Sequence, residues 1–416
     1  MLPHLQSALG IGVILFAAWV MSEDRRAFPW RTVTIGLAVQ IALALLLLKI
    51  PVARSALLAL NGVVDALMAA TRAGTSFVFG YVGGATPPFA VTNAAALSSF
   101  AFQVLPLVIV ISALAALLWH WRVLPLIVGG FAWALRKTLR LGGAVGLGSA
   151  ATIFLGMIEA PLLIRPYLAK LTRSELFTVF TVGLSTVAGT VFVLYATILR
   201  DAVPGALGHI LVASVLSLFS AIVISRVMLP GDTQTARDEA EGLDYRSSMD
   251  AIARGTEDGL KLWLSIVAML LVMVALVALA DIILKHAPDV AGAPLTVERI
   301  FGWIFAPFVW LLGIPWKEAA TAGSLMGDKT VLNEFIAYLH LAALPQGSLD
   351  PRSTLIMVYA MCGFANLGSV GIMIASVSGM APGRRADIVP LALRALVSGT
   401  LASSMTGAVI GLLPIA

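Results

Sequence analysis

Cysteine occurs once in the chain, at Cys362, and charged residues make up only 12% of it, against the roughly 25% of a soluble globular domain. A lone cysteine excludes an intramolecular disulfide framework and any Cys-rich zinc site. The five histidines, His4, His120, His209, His286 and His340, have no ligand-like spacing and suit interfacial positions. No Gly-rich phosphate loop or Ser-nucleophile elbow stands out. The first apolar run, Leu5 to Ser22, lacks a basic leader and a small-residue cleavage site, so we read it as a retained span.

What the chain does have is hydrocarbon. Hydrophobic residues fill 59% of its 416 positions, which implies an all-α polytopic membrane protein built as one bundle rather than two or three soluble domains. Runs long enough to cross about 30 Å of bilayer at about 1.5 Å per residue lie near 5–22, 31–50, 98–120, 174–199, 205–228, 260–285, 353–379 and 387–414. Eight spans put both termini on one side. The net charge of +5 needs no nucleic-acid partner, because Arg25, Arg26, Arg31, Arg122, Arg136, Lys137 and Arg140 cluster in loops of one side. The positive-inside rule makes that side cytoplasmic and places both termini outside the cytoplasmic (inner) membrane. Arg54 to Arg72, apolar but for Asn61, Asp65 and its basic ends, reads as a helix on the membrane surface, and the polar loop Gly231 to Asp258 as a cytoplasmic connector.

Two further apolar stretches, 143–172 and 314–346, are broken by Gly, Pro and charge, and read as re-entrant hairpins. Each holds one carboxylate among apolar neighbours, Glu159 and Glu334. A charge at mid-bilayer costs at least about 3 kcal/mol, so such residues are by default candidates for substrate or ion handling. The order span, amphipathic arm, hairpin, span, span occurs twice. This gives an N-terminal scaffold over 1–97, a first repeat over 98–228, a cytoplasmic linker over 229–259 and a second repeat over 260–416. The units start on opposite sides of the membrane and are therefore inverted repeats, whose broken helices meet near the midplane in secondary transporters. The breaks are Gly183-Leu-Ser-Thr-Val-Ala-Gly189 and Gly363-Phe-Ala-Asn-Leu-Gly-Ser369.

A single buried Glu is as readily a structural hydrogen-bonding group as a functional one; two at matching places in two repeats favour function. Lys317, Glu318 and Asp328 are expected to pair with one another or face water, and Lys329 is ambiguous in the same way. Asn366 and Ser369, three positions apart, can meet one ligand or act as interhelical glue. Cys362 suits packing as a small apolar residue.

Gly156-Met-Ile-Glu-Ala-Pro-Leu162, Asn333-Glu-Phe-Ile-Ala-Tyr338, Cys362-Gly-Phe-Ala-Asn-Leu-Gly-Ser369 and Gly383-Arg-Arg-Ala-Asp-Ile388, with Gly74-Thr-Ser-Phe-Val-Phe-Gly80 upstream, resemble the concentrative nucleoside transporters in their eight-span bacterial form. The resemblance runs from about residue 70 to the C-terminus. It implies an elevator-type homotrimer in the lipid bilayer, not an enzyme, that imports nucleosides without a cofactor beyond its coupling ion. It further implies that Glu159, with Val191 beside it, meets the base, that Glu334, Asn366 and Ser369 hold sugar hydroxyls, and that Phe364 lines the pocket.

Two departures from the family pattern bear on specificity. The first hairpin of the family reads Gly-Gln-Thr-Glu, whereas Met157 and Ile158 here can pack on a base but cannot read its edge. Thr152 replaces an Asn of the sodium site implied by the resemblance, whose remaining donors are Leu155, Ser185 and Thr186. The coupling ion is accordingly left open between sodium and a proton carried by Glu159 or Glu334. The alternatives to a nucleoside symporter are an exporter or carrier of a different nucleoside-like molecule, a sensor, and an intramembrane enzyme using two carboxylates.

Overall fold

The computed structural model describes residues 3–93, 97, 99–231, 245–290 and 292–414, and these contain helices and no strands. The chain opens with α1 (Pro3–Val20), α2 (Trp30–Lys49) and α3 (Pro51–Phe79). The surface helix expected over 54–72 is thus the middle of a longer element, which ends at Gly80 with φ of 60°. A short π-helix, Phe100–Val104, leads into α4 (Leu107–His120).

The first repeat continues with the arm α5 (Val123–Leu139), then hairpin 1, made of α6 (Gly143–Leu155), α7 (Glu159–Leu163) and α8 (Arg165–Leu168). The broken span α9 (Arg173–Ser185) and α10 (Gly189–Ile198) follows, then α11 (Ala206–Met228). The second repeat runs α12 (Ser248–Leu284), the arm α13 (Val297–Leu311), hairpin 2 as α14 (Trp316–Val331) and α15 (Glu334–Ala343), the broken span α16 (Pro351–Met361) and α17 (Leu367–Met380), and α18 (Arg385–Leu412). Both hairpins and both broken spans lie where the sequence places them.

Among the described residues, six helical runs are long and apolar enough to cross a membrane unaided. The remaining two of the eight spans are α1, only 18 residues long, and the α16/α17 pair, split into pieces of 11 and 14 residues. Helices α13 and α14 meet at 115°, because Gly313 (φ of 108°) and Pro315 turn the chain from the arm into the hairpin. Helix α12 begins at Ser248, so the last part of the expected connector is helical; residues 232–244 of that connector lie outside the described residues.

Helix α11 is apolar on all sides and buried on nearly all of them, as a central helix must be. It packs on α2, α9 and α18. Helix α12 packs chiefly on α4, through Gly255 and Gly259, one turn apart. A Cβ on either would lie 2.7 Å from α4 backbone atoms, the small-xxx-small solution to close helix approach in lipid. The rest of α12, including Leu264, Leu271, Leu276 and Ile283, is exposed. Arg384 explains the Gly383-Arg-Arg motif: its guanidinium donates to the carbonyls of Leu168, Ala169 and Leu171 and to Asp387, tying the start of α18 to the foot of hairpin 1.

Candidate functional site

Glu334 is the first residue of α15, where a helix N-terminus favours negative charge. Asn333 caps that helix by accepting the Ile336 N–H at 2.9 Å, which fixes the hairpin tip. The carboxylate is buried. One oxygen accepts from the Tyr195 hydroxyl at 2.6 Å, the other from the Asn366 amide at 3.2 Å. Asn366 is itself the cap of α17, its Oδ1 accepting the Ser369 N–H at 2.8 Å. One donor and one acceptor site of the Asn366 amide are used and one of each is left, and the structure brings Glu334, Asn366 and Ser369 together. Phe364, half-buried, lies in the same break.

Tyr195 is the residue that sequence reasoning missed. It sits in the apolar run Val191-Phe-Val-Leu-Tyr-Ala196, where a buried phenol needs a partner for its hydroxyl, and that need was the available signal. It joins the repeats, because α10 belongs to the first and Glu334 to the second. Tyr195→Phe leaves a buried carboxylate oxygen without its charge-assisted donor, a loss of about 1.5–3 kcal/mol. We expect the KM of uptake to rise at least ~10-fold with less change in maximal rate; an unchanged KM would show that the phenol is dispensable.

The two breaks cross. The Phe364 N–H donates to the Thr186 carbonyl at 3.3 Å, and a Cβ on Gly363 would lie 2.8 Å from the Ser185 carbonyl group. Hairpin 1 docks on the same place. Gly156, with φ of 99°, lies against Ala188, and a Cβ on Gly189 would lie 2.9 Å from the Phe154 carbonyl oxygen. Met157 is buried beside Gly183, which Met373 flanks from α17. Val191 is buried in the first turn of α10. Ile158 and Glu159, in contrast, are exposed. Outside its own segment, the titratable groups on the side of Glu159 are Asp258, in the first third of α12, and Tyr245, just before that helix. The two carboxylates differ accordingly: Glu334 is enclosed and held, Glu159 faces an opening.

Thr152, Leu155, Ser185 and Thr186 are all buried. The three hydroxyls donate to carbonyls of their own helices, Thr152 to Gly148 at 2.8 Å, Ser185 and Thr186 to Val182 at 3.2 and 2.9 Å. Their lone pairs therefore remain available. The C-terminal end of α6 meets the α9/α10 break, and helix C-termini carry carbonyls without intrahelical partners and a partial negative charge. Neutral hard oxygens of this kind suit sodium. Among the described residues no group of three or more His, Cys, Asp or Glu is placed to hold a metal ion.

Several other polar residues have structural partners. Glu318 lies 3.4 Å from Lys317 and also accepts the Asp350 N–H at 3.2 Å. Asp328 does not join them: it pairs with His340 at 2.8 Å, so that histidine has a hairpin role rather than a solely interfacial one. Cys362 is fully buried, as the packing expectation has it, and its thiol also donates a weak hydrogen bond to the Ile210 carbonyl at 3.7 Å. Lys329 is neither paired with those acids nor exposed, and its surroundings are taken up below.

Two inverted repeats, two re-entrant hairpins and two crossed helix breaks around the buried Glu334–Asn366 cluster define an elevator-type membrane carrier. Family models agree: a "Na+ dependent nucleoside transporter" N-terminal model matches residues 9–82, a "Nucleoside recognition" gate model 101–202 and the C-terminal transporter model 209–411. The uncharacterized transporter YutK of Bacillus subtilis is 38% identical over 98% of this chain and 99% of its own length. The nucleoside permease NupC of Helicobacter pylori is 33% identical over 98% and 97%. CNTnw in an inward-facing, substrate-bound state superposes with a TM-score of 0.90 at 34% identity, covering 99% of this chain and 98% of that one. The chain belongs to the concentrative nucleoside transporter family. Its activity is membrane transport of nucleosides, and its family and structural neighbours are transporters, not enzymes.

Proposed function

We propose that the protein is a symporter that imports nucleosides across the cytoplasmic membrane down a cation gradient, as a homotrimer with one pathway per protomer and both termini outside. The observation that carries this reading is the Glu334 cage. A carboxylate offers about four lone-pair sites, and Tyr195 and Asn366 use two of them. Those remaining match the vicinal hydroxyl donors of a ribose. Glu334, Asn366 and Ser369 are assigned to the sugar, Phe364 to the pocket wall, and Glu159 with Met157, Ile158 and Val191 to the base. The division into a scaffold over 1–97, repeats over 98–228 and 260–416 and a linker over 229–259 belongs to the same proposal. With the polybasic loops inside, the exposed side of Glu159 near Asp258 and Tyr245 faces the cytoplasm, which suits an inward-open carrier.

Sodium is the favoured coupling ion, held by Thr152, Leu155, Ser185 and Thr186. Liposomes containing the purified protein should accumulate labelled uridine, adenosine or pseudouridine under an imposed sodium gradient, and a pH gradient alone should fail. Accumulation driven by protons instead would transfer coupling to a carboxylate; no nucleoside binding or uptake under either gradient would end the proposal. A 2′,3′-dideoxynucleoside leaves the buried acceptors unmet and should compete ~10²-fold more weakly than its parent.

Hairpin 1 favours a second substrate reading. Met157 packs against Gly183 and Ile158 is apolar, so Glu159 alone is left to read the base edge. Relaxed base selectivity, or preference for a modified nucleoside, follows, and a competition series across bases with a common ribose measures it.

A further inference from the structure

Lys329 lies in the last turn of α14, and its side chain is fully buried. The hydrogen-bond partner of its Nζ among the described residues is the Ser403 hydroxyl of α18, at 3.4 Å. A lysine with full loss of water and one neutral, long contact is not stabilised by that contact. A buried ammonium ordinarily requires a counter-charge. The hairpin supplies one: Glu334, five residues on across the tip, opens the next helix and is buried as well. The placement follows helix electrostatics, with the cation at the C-terminal end of α14 and the anion at the N-terminal start of α15.

We propose that Lys329 is a positioning residue for transport: its fixed ammonium keeps Glu334 ionised inside the dry hairpin, so that the carboxylate remains an all-acceptor group for sugar hydroxyls. This rests on the assignment of Glu334 to the ribose. In water a glutamate ionises near about 4.3, but burial without a counter-charge favours the neutral acid. A neutral acid carries one donor and fewer acceptor sites. It would then compete with Tyr195 and Asn366, both of which donate to it, and lose the geometry that receives two hydroxyls. Lys329 favours the ionised cage at any pH where the lysine itself keeps its proton.

Hairpin 1 lacks this device. Glu159 also opens a helix, α7, but the residue five positions before it is Phe154, and no lysine or arginine occurs between Gly143 and Leu163. The second repeat therefore carries its cation covalently, and the first must obtain one from solution. The other titratable groups around Lys329 and Glu334 are Tyr195 from α10, Tyr338 from α15 and Cys362 at the break, with Tyr359 of α16 behind Tyr338 and Cys362. The Asp328–His340 pair lies on the same hairpin. Phenols and thiols ordinarily ionise near about 10 and 8.5, so none of the four changes charge between pH 6 and 8. The His340 ring can, and it is the control.

The test compares the wild type with K329M, which keeps the side-chain length without the charge, and with K329M/E334Q, which removes both charges. Infrared spectroscopy of the detergent-solubilised full chain should show a protonated-carboxyl band in K329M at pH 7 that disappears at higher pH. That band should be absent from the wild type, absent from K329M/E334Q and unmoved by H340Q. Nucleoside binding to K329M should weaken at least tenfold at pH 6 and recover as pH rises, whereas the wild type stays level. If K329M does not fold, melting temperatures decide: the double variant should melt above each of K329M and E334Q. An ionised Glu334 in K329M, a protonated one in the wild type, or a double variant no more stable than the singles would overturn the role of Lys329. Wild-type protein that binds no nucleoside would overturn the ribose assignment instead, since the band and the melting temperatures are read without substrate.

Discussion

Glu334→Gln is expected to abolish concentrative uptake, with nucleoside binding weakened by at least ~10²-fold. The reason is an inventory of donors and acceptors. The two carboxylate oxygens receive the Tyr195 hydroxyl at 2.6 Å and the Asn366 amide at 3.2 Å. A glutamine offers one oxygen and one NH2, so whichever way it is turned it opposes a donor to a donor on one side. Acceptor sites for two sugar hydroxyls then no longer exist together. Hydrogen bonds to a charged group are worth about 1.5–3 kcal/mol each, and two of them account for the expected loss. The proposed counter-charge of Lys329 is lost as well, which lowers stability further. Binding by calorimetry, uptake into liposomes and a thermal melt measure the three effects. Wild-type uptake by E334Q would remove Glu334 from the site.

The second large effect is expected at Gly363, where the breaks cross. Its Cβ would lie 2.8 Å from both the carbon and the oxygen of the Ser185 carbonyl and 3.0 Å from the Leu184 oxygen. All three are backbone atoms, so none can swing aside as a side chain could. Gly363→Val pushes the breaks apart, removes the Phe364 to Thr186 hydrogen bond and displaces Asn366 from Glu334. Overpacking costs about 1–3 kcal/mol, often more against backbone, and the shift alone is enough to spoil a site that requires sub-ångström placement. We expect uptake to fall below detection while some folded protein remains. Gly371→Ala is the control, since a Cβ there meets nothing within 4 Å, and it should transport normally. Comparable loss in both variants would mean that glycine matters for helix flexibility rather than for the crossing.

Much of this architecture could be read from the sequence because lipid punishes every unpaired backbone group, leaving few solutions. Apolar runs gave the spans, and Gly, Pro and charge inside apolar stretches gave the hairpins. Glu334 and Asn366 were legible as candidates because polar groups inside apolar runs are costly in lipid, whereas the capping of α15 by Asn333 and of α17 by Asn366 became visible only in the fold. What escaped was pairing at long range. Tyr195 and Glu334 are separated by 139 positions, and nothing local to either names the other. Lys329 looked ambiguous because its meaning depends on how completely it is enclosed, a property of the packed hairpin. Asp328 stands next to Lys329 in sequence, yet α15 brings His340 to it instead. The early start of α12 was obscured by its charged first turns, Asp250, Arg254, Glu257 and Lys261, which form i,i+4 pairs on the helix surface.

The hydrogen bond from Phe364 to Thr186 joins the break that bears the proposed cation donors to the break that bears the sugar donors. A strap of backbone of this kind has no alternative partner at membrane depth, so parting the two halves would leave both groups dry and unmet. The ion seat and the nucleoside seat are then compartments of one carriage. The two breaks are tied to move as one body, by a contact made of backbone alone.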